Sequence, residues 1–275
     1  MPPGREFEIY HYAEYELQPV WYHEHPYYEI YFFVQGHNRI IVEGIDIQPQ
    51  RGDVFIYPPG TMHRCIHLDN KIIYERFYFY ASPDFLQAIS SAEFDVPKTN
   101  AQMTRNDHYY FHVNSEDALQ KLIQKSDEVI AASDGLLPAD KLMNRFRMGQ
   151  LLIEAMTLLT TNEVMPQSEY SSRMSALIHY VNRHAAEQLS LDQLGEIFFT
   201  SKFVLMKEFK EYTGITIHQY LITRRVLMGQ EMMQQGMKPN EAALRCGFQD
   251  YTSFYRAFKT RTGISPEQYR QNMGT

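Results

Sequence analysis

A twelve-residue stretch near the end of the chain recurs with seven of its residues unchanged, and this duplication constrains the fold more than any other feature. Residues 209–220 read FKEYTGITIHQY and residues 258–269 read FKTRTGISPEQY; Phe, Lys, Thr, Gly, Ile, Gln and Tyr recur in order, displaced by 49 positions. Gly214 and Gly263 interrupt helical patterns at equivalent points, and glycine adopts the left-handed conformation that ends a helix without a Cβ penalty. From Arg173 onward everything reads as short helices. Met174, Leu177, Ile178 and Val181 form a first apolar stripe, at the spacing of one helix face. Ser190 and Gln193 fit a capping box, and Ser201 caps the helix KFVLMKEFKEY by satisfying orphan N–H groups. IHQYLITRRVLMGQEMMQQG is a long helix ending at Gly236; Pro239 opens the next, which Gly247 ends, and YTSFYRAFKTR is the last. Each copy is therefore helix, tight turn, helix, with a basic and aromatic second helix. The long helix through Arg225 separates the copies.

A helix-turn-helix lays its second helix in the DNA major groove, and two on one rod can enter successive grooves about 34 Å apart. Charge is consistent with this once it is divided. The chain carries a net charge of −7, but from Ser171 onward it has 13 Lys and Arg against 9 Asp and Glu, or +4, leaving −11 before it. An acidic front and a mildly basic rear suggest modules with different partners.

The first hundred residues read as strands. EIYFFVQG, NRIIVEG, GDVFIYPPG and KIIYERFYFYA are rich in Ile, Val, Phe and Tyr and separated by Gly, Pro, Asn or Asp, the pattern of an antiparallel sandwich or barrel. Two helices follow. The first carries Leu119, Leu122, Ile123 and Ile130 on one face, the second Leu142, Phe146, Gly149, Ile153 and Met156. The aperiodic stretch around Pro166 reads as a linker. Two cysteines, Cys65 and Cys246, are too few for a disulfide framework and suggest a reducing compartment. The opening MPPGREFEIY has no signal-like apolar stretch and no run is long enough to span a membrane, so we expect a cytoplasmic protein without membrane association.

GFQDYTSFYRAFKTRTGISPEQYR resembles the second helix-turn-helix signature of the AraC/XylS transcriptional regulators, through Gly247, Phe248, Phe254, Arg256, Phe258, Lys259, Gly263, Ser265, Pro266 and Tyr269. The upstream copy matches the first unit through Leu189, Ser190, Leu191, Leu194, Ser201, Leu205, Lys207, Phe209, Lys210, Thr213, Gly214, Tyr220, Leu221 and Arg225. It departs from the family at Phe199, where a turn glycine is usual, and at Met206, which is often polar. The resemblance implies DNA contacts by Lys202, Phe203, Met206, Lys207 and Lys210 in the first unit. In the second it implies contacts by Tyr251, Thr252, Ser253, Tyr255, Arg256 and Lys259. Arg256 has the fork that bridges O6 and N7 of guanine, whereas Lys210 and Lys259 suit phosphates.

HEHPYYEIYFFVQG and GDVFIYPPGTMH contain His23, His25, Glu29 and His63 in a spacing that resembles both cupin motifs, with His67 at the position of the second motif's final Asn. Strand periodicity aims His23 and His25 to one face. Three imidazoles and a carboxylate make a ligand set for a divalent transition metal. The same groups can instead hydrogen-bond an effector or one another, as in AraC-type sensors that keep such histidines without metal. Trp21 and Tyr31 lie in the same stretch and suit a small polar effector such as a sugar.

The expected architecture is a two-domain α+β chain. A cupin-like double-stranded β-helix (jelly-roll) for effector binding occupies residues 1–114. A helical dimerisation or packing segment covers 115–162, a linker 163–171, and an all-α double helix-turn-helix domain 172–275. The expected function is ligand-responsive regulation at double-stranded promoter DNA, as a homodimer, meeting RNA polymerase if it activates, with no catalytic residues and no required cofactor. A metal-dependent cupin enzyme with an accessory DNA-binding module is the alternative.

Overall fold

In the front half, alternation along each strand separates two cores. The computed structural model describes residues 1, 4–15, 20–105, 108–133, 137–161 and 172–272. Strands β1 (Phe7–Glu14), β2 (Tyr28–Gln35), β3 (Asn38–Val42), β4 (Ile45–Ile47), β5 (Asp53–Tyr57), β6 (His63–His67), β7 (Tyr74–Ala81) and β8 (Tyr110–His112) form two antiparallel sheets. Their orders are β1-β7-β2-β5-β8 and β4-β3-β6. On β2, Tyr28, Ile30, Phe32 and Val34 belong to one apolar cluster, and Tyr31 and Phe33 to another with Ile40, Val42, Phe55 and Tyr57. Because side chains alternate across a strand, one face of the large sheet packs on helices and the other on the small sheet. This is the expected jelly-roll, with β2 buried on both faces.

The helices covering the large sheet are α1 (Pro83–Ala88), α2 (Val96–Arg105), α3 (Glu116–Ala131) and α4 (Pro138–Thr161). The first two correct the expectation of an all-strand first hundred residues. Ser82 accepts a hydrogen bond from Phe85 N with Pro83 in the first turn, and Asp95 Oδ1 accepts one from Lys98 N; such caps start helices even where the composition looks loop-like. The expected stripe on α4 also shifts. Gly149 and Met156 of that stripe are buried, together with Met148, Leu151, Leu152, Ala155 and Leu159, while Leu142 and Phe146 face solvent, Phe146 at 60% exposure. Two adjoining apolar stripes run along this helix, and periodicity alone does not choose between them. The expected linker at 163–171 lies outside the described residues.

Residues 1–169 and 170–275 are separate compact units. The second contains α5 (Arg173–Arg183), α6 (Leu191–Ile197), α7 (Lys202–Thr213), α8 (Ile217–Gln234), α9 (Pro239–Arg245), α10 (Tyr251–Thr262) and α11 (Pro266–Asn272). The duplicated letters are a helix stop followed by a helix start. Gly214 and Gly263 end α7 and α10 at φ 84° and 77°. Thr213 Oγ1 donates to Ile215 O at 2.9 Å and Thr262 Oγ1 to Ile264 O at 3.0 Å, closing both turns. Thr216 with Gln219, and Ser265 with Gln268, exchange the two bonds of a capping box. Tyr220 donates to Asn182 Oδ1 at 2.7 Å, and Tyr269 accepts from Gln234 Nε2 at 3.1 Å. Phe209 and Phe258 are fully buried. The conserved spacing between copies thus fixes how each second helix stops and docks.

Arg225 on α8 donates from Nε to Ala185 O at 2.8 Å and from Nη2 to Glu187 O at 2.7 Å, satisfying carbonyls just beyond the end of α5. A Cβ at Gly229 would meet the Phe254 ring at 2.7 Å, so α8 and α10 approach closely there. α8 is 18 residues long, about 27 Å at 1.5 Å per residue.

Candidate functional site

Between the two sheets of the first unit lies a cavity of about 200 Å³. The residues that β1 and β7 turn away from the helices supply Tyr12, Tyr78 and Tyr80; β2 and β5 supply Glu29, Tyr31 and Tyr57; Val20, His23, Ile40, His63, Arg64 and Cys65 complete the wall. Tyr12, Tyr57, Tyr78 and Tyr80 were not among the expected site residues. For Tyr78 and Tyr80 the signal was present in YERFYFYA, where Phe77 and Phe79 alternate with tyrosines, and period 2 separates an apolar face from a hydroxylated one.

The histidines converge, though not by strand periodicity. β2 begins only at Tyr28, and His23 is placed by an isolated bridge to His63, with N–H···O distances of 3.0 and 2.9 Å. Ring centroids of His23 and His63 are 4.4 Å apart, and those of His25 and His63 are 5.2 Å apart. Nδ1 of His23, His25 and His63 lies 2.9, 2.8 and 2.9 Å from the carbonyl oxygens of Trp21, Tyr27 and Thr61. A carbonyl only accepts, so each Nδ1 carries a proton and each Nε2 is the atom left for other partners. His25 Nε2 meets Glu29 Oε2 at 2.8 Å, whereas His63 Nε2 is 3.6 Å from the same oxygen and is buried without a hydrogen-bond partner among the described residues.

Electrostatics follow from this crowding. Desolvation pushes the buried Glu29 carboxyl upward, but the His63 charge and the His25 hydrogen bond outweigh it and hold its pKa at about 2. Desolvation pulls His63 down, yet Glu29 raises it above its ordinary value. His23, with one edge in solvent, is lowered to about 4 by desolvation of its inner edge and by repulsion from His63. The ligand atoms of His25, Glu29 and His63 lie within 4.8 Å of one another. His23 is outside that set. A divalent cation therefore fits three of the four expected ligands, with carbonyl-anchored imidazoles of the kind that orient metal ligands.

Of the expected effector residues, Tyr31 lines the cavity with its hydroxyl bonded to Tyr74 at 2.7 Å. Trp21 does not join the cavity wall. Its side chain is 57% exposed, with the Arg64 guanidinium 5.7 Å from the ring centroid. The local reason is that Trp21 precedes the bridge at His23, outside the paired strands.

In the second unit the expected DNA-contacting residues share the outer faces of α7 and α10. Leu205, Phe209, Phe254 and Phe258 are buried on the opposite faces. Phe203, Met206, Lys207 and Lys210 are exposed, as are Thr252, Ser253, Arg256 and Lys259. Lys202 pairs with Asp192 at 2.9 Å, and Lys259 Nζ lies 6.0 Å from the centre of the half-buried Tyr255 ring. Two residues have internal duties. Ser253 donates its hydroxyl to the capping Asp250 at 2.8 Å, and Tyr251 donates to Glu267 of α11. Phe199, the departure from the turn glycine, adopts φ 50° with its side chain 95% exposed.

Residues 8–139 match the family model described as AraC-like ligand binding domain, and residues 194–272 match one described as helix-turn-helix domain. The uncharacterized HTH-type transcriptional regulator YbfI of Bacillus subtilis (strain 168) is 25% identical over 83% of this chain and 78% of its own length. The HTH-type transcriptional activator RhaS of Enterobacter sp. (strain 638) is 24% identical over 90% and 87%. The crystal structure of ToxT from Vibrio cholerae O395 aligns over 98% of both chains at 13% identity with a TM-score of 0.38.

Proposed function

Because the chain belongs to the AraC family of ligand-responsive transcriptional regulators, we propose that its effector is a small polyhydroxylated molecule such as a monosaccharide. The observation that carries this reading is the cavity of about 200 Å³, too small for a drug-sized ligand. Its wall of tyrosines offers aromatic faces for stacking and hydroxyls for hydrogen bonds. Glu29 can accept from paired sugar hydroxyls and His63 Nε2 can meet another. We propose no required metal, since His25 and Glu29 already satisfy each other at 2.8 Å. A divalent cation would be held by His25, Glu29 and His63, and would supply a Lewis-acidic anchor for effector oxygens.

On the DNA side, Thr252, Tyr255 and Arg256 are assigned to base edges and Lys207, Lys210 and Lys259 to phosphates. Lys202, Tyr251 and Ser253 support them from their contacts with Asp192, Glu267 and Asp250. The exposed Leu142 and Phe146 of α4 favour a homodimer formed through residues 115–162. RNA polymerase is the further partner if the protein activates, and the cytoplasm is the expected compartment; among the described residues no helix is long and apolar enough to cross a membrane.

Calorimetry of the full-length, tag-free protein against a panel of monosaccharides, with metal analysis of the same preparation, tests the reading. We expect one sugar class to bind, Glu29→Gln to weaken it about tenfold or more, and metal to be absent. Binding by none of the panel would remove the sugar assignment. A stoichiometric metal lost on His63→Ala would replace the metal-free site with a cation-anchored one.

A further inference from the structure

The two second helices offer chemically different faces at equivalent positions. α7 presents Phe203, 73% exposed, and Met206 one turn later. The positions 49 residues on are Thr252 and Tyr255 on α10. The fold of the unit does not use the Phe203 ring for burial, since α7 docks through Leu205, Phe209 and Thr213 on its other side. Cations frame the apolar centre. Lys202 Nζ lies 5.8 Å from the centre of the Phe203 ring, and the exposed Lys207 and Lys210 continue along the helix.

We propose that α7 reads the C5-methyl groups of thymine through Phe203 and Met206, so that the first unit selects a thymine-rich half-site by apolar contact while α10 reads the other by hydrogen bonds. This rests on the proposed placement of α7 in the major groove. Thymine is the base that shows a methyl group there; adenine and cytosine show amino donors, and guanine shows two acceptors. A phenyl ring and a thioether give those polar groups no adequate partner, and burying them unpaired is unfavourable. Thymine also shows its O4 acceptor there, so what the apolar face gains at thymine and at no other base is the methyl contact. The lysines suit the phosphates on either side of the groove, which favours DNA over a protein partner for this face.

The test uses the full-length protein and a duplex obtained by binding selection, with each thymine replaced singly by deoxyuridine. This substitution removes the methyl and leaves base pairing and O4 in place. We expect a cluster of methyl-dependent thymines confined to one half-site, each replacement weakening binding about three- to fivefold, the factor that corresponds to about 0.8 kcal/mol for one buried methyl-sized group. Phe203→Ala should weaken binding to the thymine duplex and make the protein indifferent to deoxyuridine in that cluster. Equal binding of all the duplexes, or a methyl dependence that survives in a Phe203→Ala, Met206→Ala double variant, would overturn the inference while leaving DNA recognition intact. Unchanged DNA affinity in Phe203→Ala with loss of promoter activation would assign the face to a protein partner instead. Failure to select any duplex would overturn the underlying DNA-reading assignment as well.

Discussion

Glu29 and His63 are both buried, and their mutual charge moves their pKa values apart. Glu29 is depressed, so its contribution to stability is complete above the ordinary carboxylate value of about 4.3 and disappears as pH falls through about 2. His63 is raised, so its contribution is complete below about 6.5 and disappears as pH rises through its folded value. The pair therefore stabilises most between about pH 4.3 and 6.5. Melting curves of the front unit should show the largest gap between wild type and Glu29→Gln in that window, narrowing above it. A gap that does not vary with pH would contradict the pairing. At Phe199, a bulky residue in the left-handed region costs about 1–2 kcal/mol, and its solvent-exposed ring regains little from packing. Glycine would return roughly 0.4–1 kcal/mol of that through the unfolded chain. Phe199→Gly should therefore stabilise the second unit by up to about 1.6 kcal/mol, read from urea unfolding.

At the scale of elements, α4 divides its apolar residues between its own sheet and solvent. Leu142, Met143 and Phe146 are exposed in its first half, and Met148 through Leu159 supply the packed face. Phe146→Lys should leave the melting temperature of the front unit within a few degrees and shift a dimer toward monomer in sedimentation velocity. A wild-type chain that sediments as a monomer at all concentrations would remove α4 as the dimer contact. This helix also marks where sequence reading stopped. Its existence and extent were legible because the apolar period is sustained over 24 residues. Its buried face was not, because that choice depends on the sheet beneath it. The caps at Ser190 and Ser201 and the stops at Gly214 and Gly263 were legible because they are local chemistry. Of the cavity wall, His23, Glu29, Tyr31 and His63 were legible. Tyr12 and Tyr57 reach it through strand order and register, which long-range pairing decides, whereas the alternation along β7 already sets Tyr78 and Tyr80 on one face.

For the whole molecule, one compact unit holds the cavity and the other carries α7 and α10 with their exposed outer faces. We expect residues 172–275 alone to bind the same duplex as the full chain, with affinity falling steeply as salt rises. In that fragment Arg256→Ala should cost about 1–3 kcal/mol on the best site and flatten preference at one or two base pairs. Lys259→Ala should weaken all sequences alike and reduce the salt slope by about one. Gel-shift titrations at several salt concentrations measure both. Identical effects from the two substitutions would erase the distinction between base reader and phosphate anchor.

The duplicated unit has a consequence for how a promoter can be arranged. Its copies occur once each, in a fixed order along one chain, and their outer faces differ, with Phe203 and Met206 on α7 against Thr252 and Arg256 on α10. A single chain on the duplex therefore has a head and a tail, and a binding sequence differs in meaning from its own reverse complement. Flipping the site end for end turns the protein around without changing its affinity. Orientation alone can then decide which end of the DNA-binding unit faces the transcription start, a form of polarity that a symmetric palindrome does not encode.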